Sequence, residues 1–490
     1  MAVLPPPEER TKPKPRGISA ETNPALLVEG RYGTDDMISI FGQEKMFEYI
    51  LEVQAKSSLV LSDLYPDVVP PEDAQVIAEN ANLRMVESQL IRELEQKTGH
   101  DVIAINTALE EAVRSVNPRA AAHINKARTS ADSTEPAKAL QLKRGMEVIA
   151  DSTENLRDVV LERALEWDSI PHMDQTHLYD ALPTFLGRPF AFYAEMLQSG
   201  IDVLSFFYHY SLRGKWADAT GNHHSALDLG MDGMRIEEEY CRRLGLRHMI
   251  APAQVPGREY LYDIYYALAR IAATAGNLAN FIRSGRGDDT DIFRFPRGKK
   301  GSSAMPHKDR KGGNPTTEEN TESMEAILAA AASAAEKVCR MDYARDLSGS
   351  AFDRVFLSIG FKCLDYAVRG MAEVVCKIQP NEERCAERVL RSHGVVTSPR
   401  FLAYLTDTRR GNAMPRSEAH DIVGALATRA YDEKRSFADV LLEDPEIRSR
   451  ISEEEIRRMA DPLTYTGRSR EIIHRAYESF HGKKTLEAAR

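Results

Sequence analysis

Between Arg294 and Pro315 the chain reads RFPRGKKGSSAMPHKDRKGGNP. From Arg294 to Lys311 it holds seven Lys or Arg residues against one acid, Asp309, and four glycines lie between Gly298 and Gly313. No helical or strand period runs through this stretch. A basic loop rich in Gly and Ser can turn several backbone N–H groups and cations toward one anion. That suits a reaction in which negative charge develops. Removing a proton from a carbon next to a carboxylate gives a carbanion whose charge moves onto that carboxylate, and donors fixed in place beforehand stabilise it. Lys308 is the nearest fixed cation for such a role and Asn314 an amide donor.

The other local signals point away from metals and cofactors. His223-His224 has no cysteine or carboxylate frame and reads as a surface pair, and Asp288-Asp289-Thr290-Asp291 lacks calcium-loop spacing and reads as a solvated turn. The five cysteines are odd in number and never form CxxC, as in a chain of reduced, packed thiols. No Walker or dinucleotide fingerprint occurs. The expectation is therefore no metal and no cofactor.

Across 490 residues, 42% are hydrophobic and 28% charged, with a net charge of −10. That balance describes a globular chain and argues against a nucleic-acid coat protein. The alanine-rich run at 326–335 is half the roughly twenty apolar residues that a membrane span requires. The first residues, MAVLPPPEERTKPKPRG, carry prolines and mixed charge where a secretory signal has an apolar core. They read as a solvated tail on a cytoplasmic protein with neither membrane nor nucleic-acid partner.

Helical periodicity dominates the elements that must position the loop. Apolar residues recur at three- and four-residue spacing over 37–64 and 73–97, and in long runs over 134–167, 184–212, 259–284 and 316–340. No β alternation extends beyond a few residues. The expected architecture is all-α, with a middle bundle of long helices whose apolar faces call for further copies of the chain.

Gly301-Ser302-Ser303-Ala304-Met305-Pro306-His307-Lys308 resembles the GSSxMPxKxNP hallmark of the fumarase/aspartase superfamily at every fixed position. The hallmark's Asn-Pro is Asn314-Pro315 here, displaced by an insertion of Asp309 to Gly313, and Glu319-Asn320 follows at the family's distance. Further segments resemble the adenylosuccinate lyase branch: Arg31-Tyr32 with Met37, Gly99-His100-Asp101-Val102, Thr129-Ser130-Ala131-Asp132, and Gln175-Thr176-His177 with Ala181, Pro183-Thr184 and Gly187. So do Gln254 to Glu259, Arg345 to Ser350 with Arg354, and the last hundred residues.

The resemblance implies a homotetrameric carbon–nitrogen lyase with active sites shared between subunits. It would eliminate fumarate from adenylosuccinate to give AMP, and from the succinylcarboxamide ribotide of purine synthesis. It implies Ser302 as base (Ser303 being the alternative), His177 as general acid and Lys308 as stabilising cation. The implied substrate contacts are Arg31, Tyr32, Gly99, His100, Asp101, Thr129, Ser130, Gln254, Ser303, Met305, Asn314, Arg345, Ser350 and Arg354. The corresponding division is a tail at 1–25, an N-terminal helical domain at 26–133, a central bundle at 134–390 and a C-terminal helical domain at 391–490. Asn125, Tyr179 and the DATGNHH run after Lys215 depart from the branch. Alternatives are a sister enzyme acting on argininosuccinate or carboxymuconate, and a catalytically silent structural homologue.

Overall fold

The computed structural model describes residues 28–296 and 304–486. Long helices dominate it. Those used below are α1 (Gln43–Leu64), α2 (Asp101–Val116), α3 (Ala131–Glu166), α4 (Gly187–Tyr210), α5 (Gly233–Leu244), α6 (Glu259–Gly285), α7 (Thr316–Lys337), α8 (Ser350–Lys377) and α9 (Ser469–Phe480). Helices α3, α4, α6, α7 and α8 pack as a bundle, and no helix among the described residues is long and apolar enough to cross a membrane.

Helix α3 runs for 36 residues although Pro136 stands near its start. A proline there leaves the carbonyl four residues earlier, that of Asp132, without its helical donor. The buried Tyr240 hydroxyl on α5 donates to that oxygen from 3.3 Å, which lets the helix run straight through. The run expected at 73–97 is instead two helices, Pro71–Asn80 and Ser88–Thr98. Asn82 stands between them, its side chain donating to the Glu79 carbonyl and accepting from the Arg84 N–H, the local competition with helix that asparagine favours.

A β-hairpin interrupts the helices: β1 (Pro171–Thr176) pairs antiparallel with β2 (Tyr179–Phe185). Thr184, expected in the following helix, belongs to β2. His177 and Leu178 form a two-residue turn with φ of 54° and 66°, the left-handed pair that such a hairpin demands. Periodicity failed to reveal it because an irregularity between Met173 and Gln175 breaks the alternation.

Trp167, Phe190, Phe281 and Phe293 anchor the hairpin's base, with ring centroids 4.9 to 6.1 Å apart in largely edge-to-face contacts. Buried residues from Met37 to Cys385 form one continuous core, which Ile473 of α9 rejoins, while Phe401 to Ala460 pack around a core of their own. The fully buried Arg157 seals the return, donating to the Lys483 carbonyl from 2.9 Å.

All five cysteines are free thiols; Cys363 and Cys385 are buried, which pushes each up to about 12. The expected surface pair of histidines is divided. His224 is exposed, but His223 is only 12% exposed and its Nε2 stands 3.5 Å from the buried Glu237 carboxylate.

Gly187 opens α4 where it crosses α3, and a Cβ there would lie 2.0 Å from the Ala164 carbonyl oxygen. Gly187→Ala forces the helices apart, and we expect it to lower unfolding free energy by about 1–3 kcal/mol in urea titrations.

Candidate active site

A cavity of roughly 780 Å³ opens at the bundle end where α3, α6 and α8 begin and α7 finishes. Gly99, His100, Asp101, Ser130, Arg345, Ser350 and Arg354 all line it, so segments far apart in the chain meet there. Gly99 takes φ of 66° to end the helix Ser88–Thr98, and His100 follows as the cap of α2. This sharp change of direction places His100 Nε2 3.4 Å from the Ser130 hydroxyl and Nδ1 3.2 Å from Asp101.

The Thr129-Ser130 turn is fixed from beneath. The fully buried Asp132 carboxylate accepts from the Thr129 N–H and the Ala217 N–H, each at 2.8 Å, and pairs with the fully buried Lys215 ammonium. Arg345 donates to Gln254 Oε1 at 3.2 Å, and Arg354 donates to the Ser350 hydroxyl. Both guanidinium groups are otherwise exposed at the cavity. Exposed arginines that line a cavity are suited to a carboxylate or phosphate.

The floor of the cavity carries charges that the sequence reading did not single out. Arg258 clasps Glu135 through both terminal nitrogens, at 3.0 and 3.2 Å. Lys138 donates to Glu135 at 3.2 Å and to Asp353 at 2.5 Å. Burial opposes the ionised Glu135, but Lys138 and Arg258 outweigh it and hold its carboxyl below the usual range; burial likewise opposes the Lys138 ammonium, and the nearby Glu135 and Asp353 outweigh it and keep it protonated. The available signal was the Glu135–Lys138 pair, three residues apart in a long helical run, and Arg258 within QVPGRE.

Other expected residues lie elsewhere. Arg31 and Tyr32 belong to the π-helical turn Val28–Tyr32, with Tyr32 edge-on to Tyr366 at 5.5 Å, about four turns along α8 from Ser350. Met305, Lys308 and Asn314 lie at the opposite end of α6, where Lys308 Nζ donates to Asn314 Oδ1 at 3.1 Å despite the five intervening residues. His177 is exposed at the hairpin tip. Beneath it His172 is buried, which drops its imidazole to about 4, and beside it Asp174 is pushed up by burial. Gly301, Ser302 and Ser303 lie outside the described residues.

One chain thus gathers His100, Ser130, Gln254, Arg345 and Arg354 at one end of the bundle, and Lys308 and Asn314 at the other. The 27 residues of α6 put those ends about 40 Å apart.

Residues 30–328 match the family described as Lyase. The chain belongs to that family, within the fumarase/aspartase superfamily. Residues 394–476 match a second family, described as the adenylosuccinate lyase C-terminus. Adenylosuccinate lyase of Methanocaldococcus jannaschii is 28% identical, the match covering 93% of this chain and 96% of that protein. Adenylosuccinate lyase of Bacillus subtilis is also 28% identical, over 87% of this chain and 94% of the relative. Among solved structures, a fumarate lyase from Mesorhizobium sp. superposes with a TM-score of 0.79 at 20% identity, covering 92% of this chain and 99% of that one. A 3-carboxy-cis,cis-muconate lactonizing enzyme from Pseudomonas putida superposes with a TM-score of 0.78 at 20% identity, covering 93% and 99%. At that identity the superpositions establish the fold.

The buried charges of this lyase can be tested through their effect on stability. Lys138→Met leaves Glu135 with Arg258 but strips Asp353 of its partner, and we expect a loss of about 3–5 kcal/mol in chemical unfolding. Adding Asp353→Asn should restore most of it.

Glu237, which accepts from the Trp216 N–H behind the Asp132–Lys215 pair, is raised by burial from 4.5 to about 7. The native state therefore holds a proton that the unfolded chain releases, so this group's contribution falls as pH rises from about 4.5 to 7. Urea midpoints across that range should fall less with rising pH in Glu237→Gln than in the natural protein.

Proposed function

We propose that this lyase eliminates fumarate from adenylosuccinate to leave AMP, and carries out the equivalent cleavage of the succinylcarboxamide ribotide in purine synthesis. The observation that carries the substrate is the match of residues 394–476 to the adenylosuccinate lyase C-terminus, in a chain whose cavity presents Arg345 and Arg354 to an anionic ligand.

In this reading Ser302 takes the proton from the carbon beside the succinyl carboxylate. The electron pair moves first onto that carboxylate and then into the new carbon–carbon double bond as the carbon–nitrogen bond breaks. His177 gives its proton to the departing nitrogen, the general-acid role that imidazole most often fills. Lys308 and Asn314 face the charge that develops, while Arg345, Arg354, Ser350, Gln254, Ser130, Thr129, His100, Asp101 and Gly99 hold the remainder of the substrate. Arg31 and Tyr32 complete the anion contacts, and Ser303 and Met305 flank the base.

The separation along α6 supports a homotetramer in which one copy supplies the cavity and others supply the hairpin tip and the Lys308 loop. Phe192, Phe206 and Tyr210 on α4 and Tyr262 and Tyr266 on α6 are exposed on the bundle, as surfaces awaiting such copies are. We place the enzyme in the cytoplasm, organised as the N-terminal, central and C-terminal helical domains bounded at 133 and 390.

Purified protein given adenylosuccinate should release fumarate and AMP in equal amounts, and none from argininosuccinate or carboxymuconate. Fumarate from argininosuccinate alone, or conversion of carboxymuconate alone to its lactone, would overturn the substrate. Ser302→Ala and His177→Ala should each be inactive as folded oligomers. Mixed, unfolded together and reassembled, they should regain activity if the two residues come from different copies. No recovery would mean that one chain supplies both.

A further inference from the structure

The residues inserted between Lys308 and Asn314 are held in an ordered turn, and a buried ion pair outside the hallmark loop holds them. Arg286 lies just past the end of α6 and Glu318 in the first turn of α7; their side chains are 7% and 2% exposed, and Arg286 Nη1 donates to Glu318 Oε1 at 2.5 Å. The second terminal nitrogen of Arg286 donates to the Gly313 carbonyl at 3.2 Å. The guanidinium lies over the Phe295 ring, 5.0 Å from its centre.

The turn is built to accept this clamp. Gly312 and Gly313 adopt φ of 77° and 83°, and a Cβ on Gly312 would stand 2.8 Å from the Phe295 side chain. The Gly313 N–H donates to the Lys308 carbonyl at 3.1 Å, closing the 3₁₀ helix Pro306–Lys311. Arg286 thus grips the residue next to Asn314, and Gly313 in turn grips Lys308.

A buried ion pair contributes little net stability compared with apolar residues of the same volume. What this pair adds is direction, because a planar fork reaches a carboxylate and a carbonyl at fixed angles. We infer that Arg286 and Glu318 are positioning residues, which set the register of the inserted segment so that Lys308 and Asn314 meet in front of the substrate. The inference rests on the reading of Lys308 and Asn314 as site residues.

The double variant Arg286→Met/Glu318→Leu replaces the pair by apolar groups and is expected to unfold at the natural urea midpoint. Its kcat should fall about 100-fold, the scale of a displacement near 1 Å, while KM for adenylosuccinate stays within about twofold. Arg286→Lys, which keeps the charge but has no fork, should lie between the two. If the double variant does not fold, Glu318→Gln keeps the shape without the charge and should show the same split between kcat and KM.

Lys308→Ala, measured alongside, separates the two ideas. If Lys308→Ala is inactive while the folded pair variant turns over normally, the positioning role is overturned and the loop reading stands. If Lys308→Ala is fully active, the loop reading fails and the positioning role fails with it.

Discussion

The length of the bundle's helices is the constraint to which the rest of the structure answers. An α-helix of 27 residues cannot bring its two ends to one substrate, and α6 has a cavity at its start and the basic loop at its finish. In the proposed assembly, further copies of the chain join the two. Within one chain, the long helices hold the cavity and the Lys308 turn apart, each at an end where connecting segments are free to carry polar groups.

At each end, buried charges stand beside the apolar core and fix the connecting turns. Asp132 and Lys215 are both fully buried, and together with the Ala217 N–H they fix the turn that presents Ser130. Glu135, Arg258, Lys138 and Asp353 do the same for the cavity floor, linking α3, the segment before α6, and α8. Arg286 and Glu318 link α6 to α7 at the far end. Such pairs are poor sources of net stability, but each tolerates only one geometry, so they specify where the connecting turns sit. The Pro136 accommodation belongs with them, since Tyr240 both supplies the missing donor and packs at the base of the same turn.

Periodicity made the long helices legible because a bundle buries one face of each, and it erred where a local side chain competes with the backbone. Asn82 divides the helices around it, and the His177–Leu178 turn makes a hairpin from residues whose alternation an irregular register hides. Part of the cavity lining was legible as an ordered set, since Gly99 to Asp101, Ser130, Arg345, Ser350 and Arg354 lie along one cavity. The charged floor was not, because a lysine within a helical run reads as solvated, and only the fold reveals that Lys138 points at Asp353 across 215 positions of sequence. The insertion before Asn314 separates it from Lys308 in the sequence, yet the two side chains still meet through a hydrogen bond.

The hairpin carries the same logic to the surface. Its base is locked by an aromatic cluster, and near its tip Asp180 accepts from Arg391 at 2.8 Å and from Gln175 at 3.0 Å, so the tip projects as a stiff arm. At that tip Leu178 and Tyr179 are 90% and 79% exposed beside His177. Two large apolar side chains held in water on a rigid turn forgo roughly 1.5–3 kcal/mol each of possible burial. A flexible loop would fold them back against the body of the protein, but this hairpin's pairing prevents it. The proposed assembly resolves that tension: docking the arm on another copy buries Leu178 and Tyr179 and, in the same step, delivers His177 to a site its own chain does not complete.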